Sequence, residues 1–62
     1  MPLILTANIP DPDGFYQELT DAQRDLDETG ANDMNARLVL ILANHIGNRE
    51  VLREALALAG PR

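Results

Sequence analysis

The stretch Met34-Asn35-Ala36-Arg37-Leu38-Val39-Leu40-Ile41-Leu42-Ala43-Asn44-His45-Ile46, residues 34–46, is the most informative part of this chain. At about 100° per residue, Met34, Leu38, Ile41 and His45 share one side of a helix. Asn35, Val39, Leu42 and Ile46 make an adjacent side, and Leu40 lies across the helix from both. Asp33, Arg37 and Asn44 fill the slim polar wedge that is left. A surface helix of a globular protein carries one apolar stripe; a helix apolar on so many sides has to be surrounded. Taken alone, the run Leu38 to Ala43 would also suit a buried strand. The residues on either side of it read as helix, so the strand reading loses.

The second helix is expected from about residue 29 to Ile46, capped by Asp27 or Thr29. If Asp27 caps, the connection before it is very tight and Gly30 falls inside the first turn. Gly47 supplies a stop and Asn48 a cap for a third helix, about 49–59. There Val51, Leu52, Ala55, Leu56, Leu58 and Ala59 occupy an arc of about 160°, opposite Arg49, Glu50, Arg53 and Glu54. Gly60 and Pro61 end it. Upstream, Asp11 can cap a first helix, Pro12 fits its first position, and Asp13 complements its positive end. Phe15, Leu19, Ala22 and Leu26 then recur within about 60° of one another, which predicts a helix over about 11–26 with one narrow buried stripe. Residues 1–10 hold Pro2 and Pro10, which disfavour helix, so Leu3, Leu5 and Ile9 belong either to an extended arm laid over an apolar surface or to a frayed terminus. The expected fold is all-α: a single domain over 1–62, a three-helix chain in a short antiparallel bundle behind an extended N-terminal arm, completed by oligomerisation.

Size gives the reason for that last clause. Folding a compact chain of 6.8 kDa buries roughly 6,000 Å². With about 60% of it apolar, burial contributes roughly 90 kcal/mol at about 25 cal/mol/Å². Ordering 62 residues costs about 93 kcal/mol at about 1.5 kcal/mol each. A monomer breaks even. Disulfides and thiolate metal sites are excluded because the chain has no cysteine, and association is the remaining source of stability.

Composition narrows function further. Ten acidic residues against five arginines give a net charge of −5, which argues against holding a phosphate backbone. The charge is uneven: residues 11–33 are acidic except for Arg24, whereas 34–62 hold four arginines against Glu50 and Glu54. Leu3-Ile4-Leu5 is too short and lacks the basic flank of a signal peptide, and no apolar run is long enough to span a bilayer. A cytoplasmic protein without membrane or nucleic-acid partners is expected.

Candidate chemistry is sparse. Asp11-Pro12-Asp13-Gly14 is similar to part of a calcium loop, but the full pattern would place Ile9 at the first ligand and Thr20 at the last. Helix capping accounts for all four residues. His45, the only histidine, has Leu42 and Ile41 where a carboxylate ligand would have to stand, so neither a metal nor a cofactor site is expected. The structural alternative puts it in the last turn of its helix, where a basic residue suits the negative end. Nucleophilic catalysis is poorly served without Ser, Cys or Lys, and no base is placed to activate Thr6, Thr20, Thr29 or Tyr16. No catalytic residue, and no enzyme, is expected. Asp33 and Arg37 are spaced for an ion pair. Asn35 and Asn44 can fix register in a helical assembly, and Arg37, Asn44 and His45 can edge a pocket for a small ligand.

The segments Asp11-Pro12-Asp13-Gly14-Phe15-Tyr16, Asn35-Ala36-Arg37-Leu38, Asn44-His45-Ile46-Gly47 and Val51-Leu52-Arg53-Glu54-Ala55-Leu56 resemble a family of short bacterial proteins that form a domain of unknown function. The resemblance covers about residues 9–58. Proteins of this kind are encoded near flavin-dependent aromatic hydroxylases, so the resemblance implies an accessory or regulatory role in aromatic catabolism, which no residue in the chain itself shows. The leading expectation is a helical interaction module, a homodimer or an accessory subunit. Its interface would use Met34, Leu38, Val39, Leu40, Ile41, Leu42 and Ile46, with Asn35, Arg37, Asn44 and His45 as polar contacts. A ligand-binding bundle and an acidic inhibitor of a basic partner are the alternatives.

Overall fold

Why three helices form is a matter of local chemistry. In the computed structural model, which describes residues 2–61, α1 runs Pro12–Ala22, α2 Glu28–Ile46 and α3 Arg49–Ala59, with no strand among the described residues. Each helix starts where a side chain satisfies amide groups that the helix itself leaves free. Asp11 accepts from the Gly14 amide at 3.2 Å, and Asp27 accepts from the Gly30 amide at 2.8 Å. Asn48 Oδ1 takes the Glu50 and Val51 amides at 3.0 and 3.1 Å. Thr29, the other cap considered for α2, lies inside the helix. Gly47 closes α2 in the left-handed region at φ 71°, its amide donating to the Ala43 carbonyl at 2.9 Å. A side chain there would meet the steric cost that makes glycine the usual residue at this position.

The first helix is shorter than its apolar stripe suggests. It ends at Ala22, and Gln23, Arg24 and Leu26 close tighter turns onto the carbonyls three residues back, at 3.1–3.3 Å. Asp27 has to adopt an extended backbone, φ −79° and ψ −177°, to cap α2, so the chain must leave the helix before it. Leu26 therefore does not extend the stripe of α1, and of the stripe expected to be buried only Leu19 is half-buried, with Phe15 and Leu26 each 43% exposed and Ala22 exposed. Arg24 and Asp21 form an ion pair across this turn.

The N-cap of α1 carries backbone strain. Asp11 sits at φ 54°, ψ 63°, a region that costs most L-residues roughly 1 kcal/mol and that Asn and Asp tolerate best. Its carboxylate also occupies the space where a Cβ on Gly14 would lie, which accounts for glycine in the first turn. Asp11→Ala should lower the thermal midpoint by the equivalent of about 1–2 kcal/mol for the lost cap. Asp11→Asn, which keeps both the cap and the left-handed preference, should leave it nearly unchanged. Thermal melts of both variants at one fixed protein concentration check this.

The helices enclose little. Val51, 8% exposed, is the one buried hydrophobic residue among those described. Around it Leu52, Ala55 and Asn48 of the α2–α3 corner are half-buried, as are Leu19, Gln23, Ala31, Met34 and Leu38 on the α1–α2 side. The arm lies along α3, pinned where the Leu3 amide donates to Glu54 Oε2 at 2.9 Å. The result is open. Its radius of gyration is 13.3 Å, against about 10.6 Å for a compact chain of this length. The solvent-accessible surface is 5658 Å², against about 3,950 Å² for a folded monomer of this mass.

Candidate interaction surface

The second helix bears the apolar surface, and the structure divides it. Met34 and Leu38, which point toward the rest of the chain, are half-buried. Val39 (61%), Leu40 (70%), Ile41 (65%), Leu42 (47%) and Ile46 (49%) are exposed. Of the seven residues expected to make an interface, then, two already work inside the chain and five stand open. At about 100° per residue the open ones do not form a single patch, because Ile41 projects on the Met34 side and Val39, Ile46 and Leu42 on the other. Leu40 stands between Val39 and the polar wedge.

The four polar candidates go separate ways. Asn35 Oδ1 accepts from Gln23 Nε2 at 2.6 Å, so it ties the α1–α2 connection to α2 within the chain. The bond uses the Asn35 carbonyl oxygen and leaves its amide N–H groups open on the surface. Arg37 and Asn44 are exposed on the wedge. The anticipated Asp33–Arg37 ion pair is absent: among the described residues the pair that forms is Arg24 with Asp21. Adjacent positions on a helix face permit such a pair, but on an exposed surface its net gain is small against the entropy of two long side chains.

His45 is placed differently again. It is exposed at the end of α2 and lines a groove of about 330 Å³ together with Pro2, Leu3, Ile4, Asn8, Ile46, Asn48 and Val51. Arg37 and Asn44 do not line it, so this groove is not the pocket anticipated between Arg37, Asn44 and His45. About 80° to 100° of helix rotation separates His45 from the other two. The wall opposite His45 is the arm. Sequence reasoning missed that contribution because an extended segment with no periodicity carries no signal of where it docks. It also missed Gln23 as a partner of Asn35. The capping motif at Asn48 was the one available clue to Val51, since it sets the start of α3 and hence which of its residues turns into the corner.

Chemically, the groove offers three side chains able to bond a ligand, Asn8, His45 and Asn48. Asn48 can only donate, because its Oδ1 is committed to two backbone amides. Among the described residues no cluster of three His, Cys, Asp or Glu side chains could hold a metal ion, and no helix is long and apolar enough to cross a membrane.

Searches of curated proteins and of solved structures return no match. The family described as "Protein of unknown function (DUF2783)" matches residues 3–61. That span takes in the arm, all three helices and both connections, and with it the chain belongs to the DUF2783 family.

Proposed function

We propose that this protein is a small, non-catalytic helical interaction module that works as a homo-oligomer or as an accessory subunit. The observation that supports this reading is the exposure of Val39, Leu40, Ile41 and Leu42 in succession on the longest helix. Apolar side chains left open on several sides of one helix call for other surfaces to cover them. The residue inventory points the same way. There is no Ser, Cys or Lys nucleophile, and the single histidine has no carboxylate beside it in the groove it lines. Binding, not chemistry, is what such a surface can do.

Sedimentation equilibrium across the micromolar range tests the self-association arm of this reading. A mass that rises with concentration above 6.8 kDa is the expected result. A cooperatively folded monomer of that mass at every concentration would defeat it.

The groove beneath the arm favours a second reading, a site for a small apolar ligand. Its walls are Pro2, Leu3, Ile4, Ile46 and Val51 with His45 at the edge. An aromatic or aliphatic carboxylic acid should then raise the thermal midpoint, and His45→Ala should abolish the shift. A library of such acids that produces no shift would remove this alternative.

A further inference from the structure

The outward side of α2 has a shape and a charge pattern that select one occupant. At about 100° per residue, Ala36, Val39, Leu40, Ala43 and Ile46 fall within an arc of about 120° turned away from Met34 and Leu38. All five are exposed except Ala43, which is half-buried. The polar residues on the same arc, Glu28, Thr29 and Asn32, belong to the opening turns of the helix, and from Ala36 to Ile46 nothing polar interrupts it. Alanines 36 and 43 lie on its midline, with Val39 to one side and Leu40 to the other. We infer that this face is covered by α2 of a second copy of the chain, running antiparallel, with the two-fold axis beside Val39 and Leu40. This deepens the proposal above and rests on it.

Area comes first. The chain exposes 5658 Å², about 1,700 Å² more than a compact monomer of its mass. That excess is spread over the whole chain, and the outward face of α2 carries the part of it that lies on Val39, Leu40 and Ile46, which are 61%, 70% and 49% exposed.

Direction follows from charge. Glu28 and Asp33 lie toward the start of α2, while Arg49 and Arg53 follow its end together with Glu50 and Glu54, so that end carries no net charge. A parallel pair would set Glu28 and Asp33 beside their own copies. An antiparallel pair removes that repulsion by setting them beside the balanced end of the second copy, and it also opposes the two helix dipoles.

Register follows from the two-fold. When residues whose numbers sum to about 79 face each other, Val39 meets its own counterpart on one edge and Leu40 meets its counterpart on the other. Ala36 then faces Ala43 across the midline, where two methyl groups let the backbones approach closely. The polar start of the arc is placed as well. Asn32 comes level with Gly47 of the second copy, beside the last carbonyls of that helix, which lack helical partners and can accept from its amide.

The absence of native cysteine makes the test clean. Val39→Cys, Leu40→Cys and Asn32→Cys all alter exposed positions, so each variant should fold as the parent does. Each is treated with a short bismaleimide and read on a denaturing gel, with sedimentation equilibrium in parallel. In the inferred arrangement positions 39 and 40 lie next to their counterparts, whereas the two copies of position 32 are about 15 residues apart along the axis, roughly 22 Å. Most of the Val39→Cys and Leu40→Cys protein should become covalent dimer, and Asn32→Cys should stay at background. Equal cross-linking at all three positions means a parallel pair and overturns the inference. No cross-linking by a protein that sediments as a dimer places the interface elsewhere, which overturns the inference and leaves the interaction module standing. A folded monomer overturns the inference and the self-association arm together, and leaves the accessory-subunit arm.

Discussion

Leu40→Glu should leave the chain largely unfolded at concentrations where the parent is helical. In the isolated chain that substitution costs almost nothing. Leu40 is 70% exposed, and glutamate is as good a helix former as leucine to within a few tenths of a kcal/mol. Across a two-fold seam the same change removes two buried leucines, each contributing roughly 1.5–3 kcal/mol, and brings two carboxylates together away from water. A loss of at least about 4 kcal/mol per dimer follows, or roughly a thousand-fold in the dissociation constant. Because the monomer buries so little, its folding would be lost with the dimer. Far-ultraviolet circular dichroism over a dilution series, parent beside variant, measures this. An unchanged melting curve for Leu40→Glu would mean that the outward face of α2 works while solvated.

The second large effect belongs to Val51. It is the one buried hydrophobic side chain among the described residues, set where α2, α3 and the arm come together. Val51→Ala should cost about 2 kcal/mol, for two methyl groups of transfer energy plus whatever space fails to close. Val51→Asp should be worse by several kcal/mol. It puts an ionised carboxylate at the least hydrated point of the chain, where no arginine lines the corner to pair it. The arm should respond as well. Its anchor, the Leu3 amide on Glu54, holds only while the corner beneath it is packed, so amide hydrogen exchange at Leu3 should quicken in Val51→Ala before helix α3 itself is lost. Slow exchange at Leu3 in that variant would show that the arm is held by something other than the corner.

The two predictions separate two kinds of stability in one small protein. Val51 reports the contact between elements of a single chain. Leu40 reports what the chain lacks. Loss at Val51 should be felt at every protein concentration, whereas loss at Leu40 should be rescued in part by raising the concentration, as mass action requires.

Most of the secondary structure could be read from the residues, because helix ends are local events. Asp11, Asp27 and Asn48 satisfy amides two or three residues ahead of them, and Gly47 adopts a conformation that other residues resist. All four signals act within a turn of chain, and each helix starts close to where they put it. The end of α1 was misjudged for a related reason. An apolar residue at the right spacing, Leu26, argued for continuing the helix, and the demand of Asp27 for an extended backbone overrode it.

That α2 has apolar residues on nearly every side, and that a chain of 62 residues cannot cover them all, follows from the order of amino acids alone. Which sides the chain does cover was settled by the packing of its elements. Met34 and Leu38 are turned inward, Val39 to Leu42 are left open, Asn35 accepts from Gln23, and His45 is set against the arm. The physical reason is that periodicity fixes which residues share a face, not which neighbour lies against it. That depends on the angles at which α1 and α3 leave their short connections, and on an N-terminal arm whose position no local signal encodes.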